Sequence, residues 1–243
     1  MRRHPARLLA IGAALLLVIG AAALALASRD QRADLSPRAE NERPELMLLT
    51  TLPLVFPEDF SLQGGGSKAL AALETRYRVV PIGTADAASL GKGRLLLMAH
   101  PLAQPAEALV DLDRWVRDGG RVLLLADPKL EWPSKRPLGD KLRPPPAFAD
   151  TGLLRHWGLR LEAPEEAGPR QLTLAGRDVL VASPGRLSGS CEIGEAGLVA
   201  RCRIGRGKAT VIADADFLNL EQLDGPTDRN LEALLGELAA IEP

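Results

Sequence analysis

Arg121-Val122-Leu123-Leu124-Leu125-Ala126 is apolar without alternation and is closed by Asp127-Pro128. A strand with one wet face alternates apolar and polar residues; a strand apolar throughout is covered on both faces, as in a parallel sheet between two helical layers. Working outward, the same reading applies to Glu45-Leu46-Met47-Leu48-Leu49-Thr50-Thr51, to Arg94-Leu95-Leu96-Leu97-Met98-Ala99 and to Ala209-Thr210-Val211-Ile212-Ala213. Tyr77-Arg78-Val79-Val80-Pro81 is a fifth strand. Between two of these runs, Pro105 to Asp118 reads as a helix with proline in its first turn. Leu109, Leu112 and Val116 share one face, and Gly119-Gly120 supplies a left-handed stop. Gly66 to Arg76 reads as another helix, exposing Lys68, Glu74 and Arg76. Strand, helix, strand with right-handed crossovers predicts an α/β fold with an open, mostly parallel, doubly wound sheet.

The second half is less regular. Lys129 to Asp150 is rich in proline and reads as an extended surface excursion, the place where a lid or docking loop would sit. Thr151 to Gly158 reads as a short helix with Leu153, Leu154 and Trp157 at helical spacing. Arg170 to Val181 and Leu187 to Arg203 read as strands and hairpins, a β-hairpin-rich C-terminal elaboration. A last helix, Asp228 to Ala240, carries Leu231, Leu234, Leu235 and Leu238 on one face and is expected to pack on the sheet.

Ahead of the folded part, Leu8 to Ala27 is an uncharged apolar run of 20 residues behind Arg2, Arg3 and Arg7. At ~1.5 Å rise per residue such a run crosses a ~30 Å hydrocarbon core, and the arginines hold the preceding segment on the cytoplasmic side. The predicted organisation is therefore a cytoplasmic stretch over 1–7, a transmembrane signal anchor over 8–27, a charged linker over 28–44 and an extracytoplasmic domain over 45–243. That places the chain in the cytoplasmic (inner) membrane by a single pass, with the domain in the periplasm or extracellular space. Ala25-Leu26-Ala27 also satisfies the small-x-small rule for signal peptidase, so a cleaved signal peptide is the competing reading.

Cys191 and Cys202 flank a stretch with Gly194 and Gly197 where a hairpin can turn. Outside the cytoplasm a pair facing each other across two antiparallel strands forms a disulfide; two buried free thiols are the alternative. Without histidines at ligand spacing the pair makes a poor metal site, and no metal is expected there.

Composition excludes several classes. A formal net charge of -1, from 30 basic and 31 acidic residues, leaves no field to gather nucleic acid, and 3% aromatic residues leave little surface for stacking bases or sugars. Gly64-Gly65-Gly66-Ser67-Lys68 lacks the full spacing of a phosphate-binding loop and reads as a flexible entry to the following helix. Gly205-Arg206-Gly207-Lys208 reads as a tight hairpin turn. No cofactor is implied.

Asp127-Pro128 at a strand end, Leu153-Leu154-Arg155-His156-Trp157-Gly158-Leu159, and the stretch from Gly205-Arg206-Gly207-Lys208 through Asp214-Ala215-Asp216-Phe217-Leu218-Asn219 carry a resemblance. From about Glu45 onward the chain resembles auxiliary domains of uncharacterised ABC transport systems, including the gliding-motility type, and related membrane-anchored domains. The resemblance implies a fold similar to class I glutamine amidotransferases, flavodoxin-like in its sheet, without their chemistry. It also implies the membrane and integral-membrane or ABC transporter subunits as partners. Amidotransferases of that class need a cysteine on a Gly-x-Cys-x-Gly elbow. Here the counterpart turn is Met98-Ala99-His100-Pro101, with no nucleophile.

In open parallel sheets ligands bind outside the carboxyl ends of the strands, where this chain carries His100, Asp127, Asp214 and Asp216. Carboxylates and an imidazole there suit acid–base work or a divalent cation, the chemistry of an envelope hydrolase or metal-binding enzyme. The same residues also suit loop-fixing hydrogen bonds. The leading expectation is a non-catalytic, membrane-anchored accessory or binding domain of an ABC-type transport or envelope complex. A small-molecule sensor is the remaining reading, and it requires a sizeable, mostly apolar pocket under the Pro-rich loop.

Overall fold

The computed structural model describes residues 34–56, 58 and 66–243. The anchor predicted over 8–27 and residues 28–33 of the linker lie outside the described residues, as do Gly64 and Gly65. Among the described residues no helix is long and apolar enough to cross a membrane.

The apolar runs become strands β1 (Glu45–Thr50), β2 (Arg78–Pro81), β3 (Leu95–Ala99), β4 (Arg121–Leu125) and β11 (Gly207–Ile212). They pair in parallel in the order β2-β1-β3-β4-β11, so the order reverses between β1 and β3. Two antiparallel strands, β10 (Val199–Ile204) and β9 (Glu192–Gly194), complete a mostly parallel sheet of 7 strands. Because side chains alternate across a strand, each central run divides its residues between two cores. Leu46, Leu48, Leu95, Leu97, Leu123, Leu125 and Ile212 face one side; Met47, Leu49, Leu96, Met98, Val122, Leu124 and Val211 face the other.

Helices fill both sides. Helix α1 (Lys68–Glu74) contributes Ala69 and Leu73 to the first core, and the terminal helix α5 (Asn230–Ile241) contributes Ala233, Leu234 and Leu238. The second core takes Leu90 from α2 (Ala87–Leu90), Leu112 and Val116 from α3 (Ala106–Arg117), and Leu154 from α4 (Leu153–His156). At the end of α3 the backbone turns through Gly119 at φ +107°, as the double glycine predicts. Helix α5 begins two residues later than the sequence reading places it, at Asn230, and no side chain caps its start.

The hairpin-rich half contains one strand more than the sequence reading gives it. β6 (Pro169–Leu174) and β7 (Arg177–Ala182) form a separate ribbon whose Leu174, Val179 and Val181 join the first core. β8 (Arg186–Gly189) pairs with β5 (Leu159–Glu162), a strand the sequence reading does not identify. Four residues directly behind a helix give too short an alternation to stand out. The turn between β10 and β11 is held against α3, where a Cβ on Gly207 would meet the Val116 carbonyl oxygen at 2.0 Å.

Cys191 and Cys202 are joined in a disulfide with their Cα atoms 4.9 Å apart, at the outer edge formed by β9 and β10. The bridge closes a separation of 11 residues, for which loop-closure entropy gives about 3 kcal/mol. Replacing both cysteines with serine is expected to lower the thermal midpoint by about 6–12 °C, read by scanning calorimetry. A midpoint unchanged by the double replacement would show that β9 is held without the bridge.

Candidate functional site

The carboxyl ends of β3, β4 and β11 lie side by side, so the three acidic residues and the histidine singled out by the sequence all fall at one edge of the sheet. His100 follows β3 directly and holds φ +48°, a conformation a β-carbon resists. It makes a strained strand-to-loop turn. Here the turn carries an imidazole that is fully buried. Its Nε2 lies 2.9 Å from the Pro145 carbonyl oxygen. A carbonyl only accepts, so Nε2 donates and Nδ1 is the bare nitrogen, buried with no partner. Burial holds the ring below the usual histidine range.

The three aspartates converge and act as acceptors for loop amides. Asp127 Oδ1 accepts from the Lys129 amide at 2.8 Å and Oδ2 from the Ala215 amide at 2.9 Å, tying β4 to β11. Asp214 accepts from the Phe217 amide at 2.8 Å and from the Ala182 amide at 3.1 Å, tying β11 to the end of β7. Asp216 Oδ2 accepts from the Glu131 amide at 2.7 Å, while its Oδ1 is buried without a partner. Burial raises all three. Asp127 is pushed up to about 6, Asp216 to about 7 with the field of Asp127 adding to burial, and Asp214 well above the carboxylate range by burial and then by Asp127 and Asp216. His100 stands apart from this group, bonded to the Pro-rich loop and to none of the carboxylates.

That loop is fastened at both ends. The Leu130 amide donates to the Pro146 carbonyl and the Phe148 amide to the Asp127 carbonyl. A second polar set, which sequence reasoning misses, fixes its first turn. The Ser183 hydroxyl donates to Glu131 Oε1 at 2.6 Å, Lys129 Nζ lies 2.8 Å from the same oxygen, and Ser183 Oγ accepts from the Gly168 amide. Ser183 is fully buried with φ +49°, and its proton is committed to Glu131, so it is a latch and not an open nucleophile. The bond from Lys129, with that from Ser183, holds the Glu131 carboxyl below the usual range. Ser183 lies more than 50 positions from Lys129 and Glu131 in the chain, and no local pattern connects it to them.

Among the described residues no group of three or more His, Cys, Asp or Glu is placed to hold a metal ion. The concave surface at this edge lies instead beside the buried polar groups. One cleft of about 490 Å³ is bounded by Trp132 and Ser134 of the Pro-rich loop, by Asn219, and by Ser67 and Lys68 at the start of α1. The Ser67 hydroxyl is taken up as the helix cap, accepting from the Leu70 amide at 3.1 Å. The Gly66-Ser67-Lys68 portion of the glycine-rich stretch is thus the entry to a helix, as its sequence suggests.

No protein-family model matches the chain, and no match is found among curated proteins. Solved structures do share its fold. The mmIFT52 N-terminal domain aligns at 12% identity and TM-score 0.51, over 82% of this chain and 98% of that one. A cytoplasmic protein of Salmonella typhimurium LT2 aligns at 9% identity and TM-score 0.51, over 82% of this chain and 100% of its own. An exo-β-1,4-mannosidase of an Opitutaceae bacterium aligns at 14% identity and TM-score 0.47, and this chain spans 36% of it. At these identities the likeness to the first two, at TM-score 0.51, is one of fold alone: a mixed α/β domain on a mostly parallel sheet.

Proposed function

We propose that the chain is a non-catalytic accessory or binding domain, tethered by its N-terminal apolar run in the cytoplasmic membrane beside an ABC-type transport or envelope complex. The observation that carries the non-catalytic part is the use of the strand-end residues. The strained turn after β3 carries a buried histidine under Pro145 and no nucleophile, and five of the six oxygens of the three aspartates accept from loop amides, with only Asp216 Oδ1 unpartnered. The order β2-β1-β3-β4-β11 supports the finer reading of the sheet as flavodoxin- or amidotransferase-like. Tethering supports a role in assembly, because a domain held at the membrane gains effective concentration toward a neighbour without a tight interface.

Mild crosslinking of the full-length chain in its native membrane, followed by mass spectrometry of co-purifying proteins, tests this reading. Recovery of an ABC permease or ATPase is expected. A chain recovered alone, or cleaved after Ala27 and released, would sink it and return weight to the envelope-hydrolase alternative built on His100, Asp127, Asp214 and Asp216.

A further inference from the structure

A second cleft, of about 380 Å³, opens at the carboxyl ends of β1 and β2 under the Pro-rich loop. Its lining is mostly apolar: Leu48, Leu52 and Ile82 form the floor, with Phe56, Leu102 and Leu142 at the mouth. Phe56, Leu102 and Leu142 are 79%, 52% and 68% exposed, so three large apolar side chains face solvent around one concavity. Scattered single exposures are ordinary; a cluster about a hollow is the mark of a binding surface. The cleft also sits beside the point where the strand order reverses, between β1 and β3, where open parallel sheets take their ligands.

Charge narrows the ligand. Arg136 and Lys141, both from the Pro-rich loop, line this cleft. Arg136 Nε is buried without a partner, and its ion-pair partner Asp140 lies 3.9 Å from Nη1, beyond hydrogen-bonding range. The acid on the same wall, Glu58, already accepts from the Ser134 hydroxyl and the Lys135 amide. Glu58 keeps its charge but both its oxygens are engaged, so among the described residues on this wall the hydrogen-bonding capacity left unfilled is that of the Arg136 guanidinium, with the Lys141 ammonium beside it.

We propose that this cleft binds a small amphipathic anion, an acyl chain ending in a carboxylate. The chain lies along Leu48, Leu52, Ile82 and Leu102, and the carboxylate is held by Arg136 and Lys141. The volume falls in the range of small-molecule sites, whereas a stably docked protein would need about 800 Å² of surface from each side. The site is independent of any transporter partner and of the aspartate cluster.

Equilibrium dialysis of the intact chain against radiolabelled octanoate tests it, with octanol and octylammonium as neutral and cationic counterparts and every variant in the same preparation. Saturable uptake of about one octanoate per chain is expected, weakened about tenfold by Arg136→Gln, the loss of one charge-assisted bond. Octanol uptake is expected to be unchanged by that substitution. Leu102→Asp should abolish the uptake of both, and Val110→Asp, on an exposed residue of α3 away from the cleft, should leave both intact. Octanoate uptake equal to that of the Leu102→Asp chain, or equal uptake of octanoate and octylammonium untouched by Arg136→Gln, would overturn the proposal. A failed crosslink to transporter subunits bears on the accessory role and leaves this result unaffected.

Discussion

Asn230→Ala is expected to lower the unfolding free energy by about 3–5 kcal/mol, one of the two largest effects anticipated for this chain. Asn230 is fully buried at the start of α5, and one side chain serves three backbone groups. Its Oδ1 accepts from the Leu180 amide at 3.0 Å, and its Nδ2 donates to the Leu180 carbonyl at 2.9 Å and the Phe217 carbonyl at 2.7 Å. The amide thus closes the β7 edge like an added strand residue while pinning the turn after β11 to α5. Alanine leaves one donor and two acceptors buried, at about 1–3 kcal/mol each before water enters the space. For a domain of this size the midpoint should fall by roughly 10 °C. Val110→Ser, at a position 56% exposed, serves as the comparison and should stay within about 0.5 kcal/mol of the parent. A small loss for Asn230→Ala would mean that the β6–β7 ribbon is held by its apolar face alone.

The second large effect is a fall in stability as pH rises from about 5 to 8. Asp127, Asp214 and Asp216 all have folded values above the ordinary 3.8, so between that value and their folded values the native state binds more protons than the unfolded chain. Their contribution is fully present below about pH 4 and is lost as pH rises through about 6 for Asp127 and about 7 for Asp216. At ~1.36 kcal/mol per unit, the rise of Asp127 alone corresponds to about 3 kcal/mol. The three do not add, because each rise already contains the field of its neighbours. Burial lowers His100, which works the other way: its contribution is present above the ordinary 6.5 and is lost as pH falls through its folded value. One imidazole offsets part of what the carboxyls do below pH 6.5 and nothing above it. Denaturant midpoints measured at half-unit steps decide the matter. The wild-type chain should weaken toward pH 8, and Asp216→Asn, which keeps an acceptor for the Glu131 amide, should flatten the profile. A wild-type profile level from pH 5 to 8 would show that water reaches the carboxyls.

The central sheet was legible because burial on both faces leaves a run with no polar interruption, as in Leu95–Ala99 and Arg121–Leu125. The disulfide was legible from spacing, since a short stretch with glycines between two cysteines brings them opposite each other. The strand-end rule found Asp127, Asp214 and Asp216, but their work as amide acceptors depends on where β7 and the Pro-rich loop come to rest. Asn230 and Leu180 are 50 positions apart, and Asn230 at a helix start carries no local sign of its partners. Ser183, Lys129 and Glu131 were hidden for the same reason. Leu159–Glu162 was lost to its shortness, because a strand of 4 residues takes its identity from β8 rather than from its own pattern.

Two residues far apart in the chain meet at the amino-terminal edge of the sheet. Arg38 is bonded to Glu242 at 2.7 Å, Tyr77 donates to the same carboxylate, and the Arg38 amide donates to the Thr75 carbonyl. The polypeptide therefore enters and leaves the fold through one doorway. A domain wired in this way behaves as a plug-in module: a host loop can carry it, or its ends can be joined and reopened elsewhere, without unthreading the sheet. The clefts open at the opposite, carboxyl edge, about 20 Å away at ~3.3 Å per strand residue.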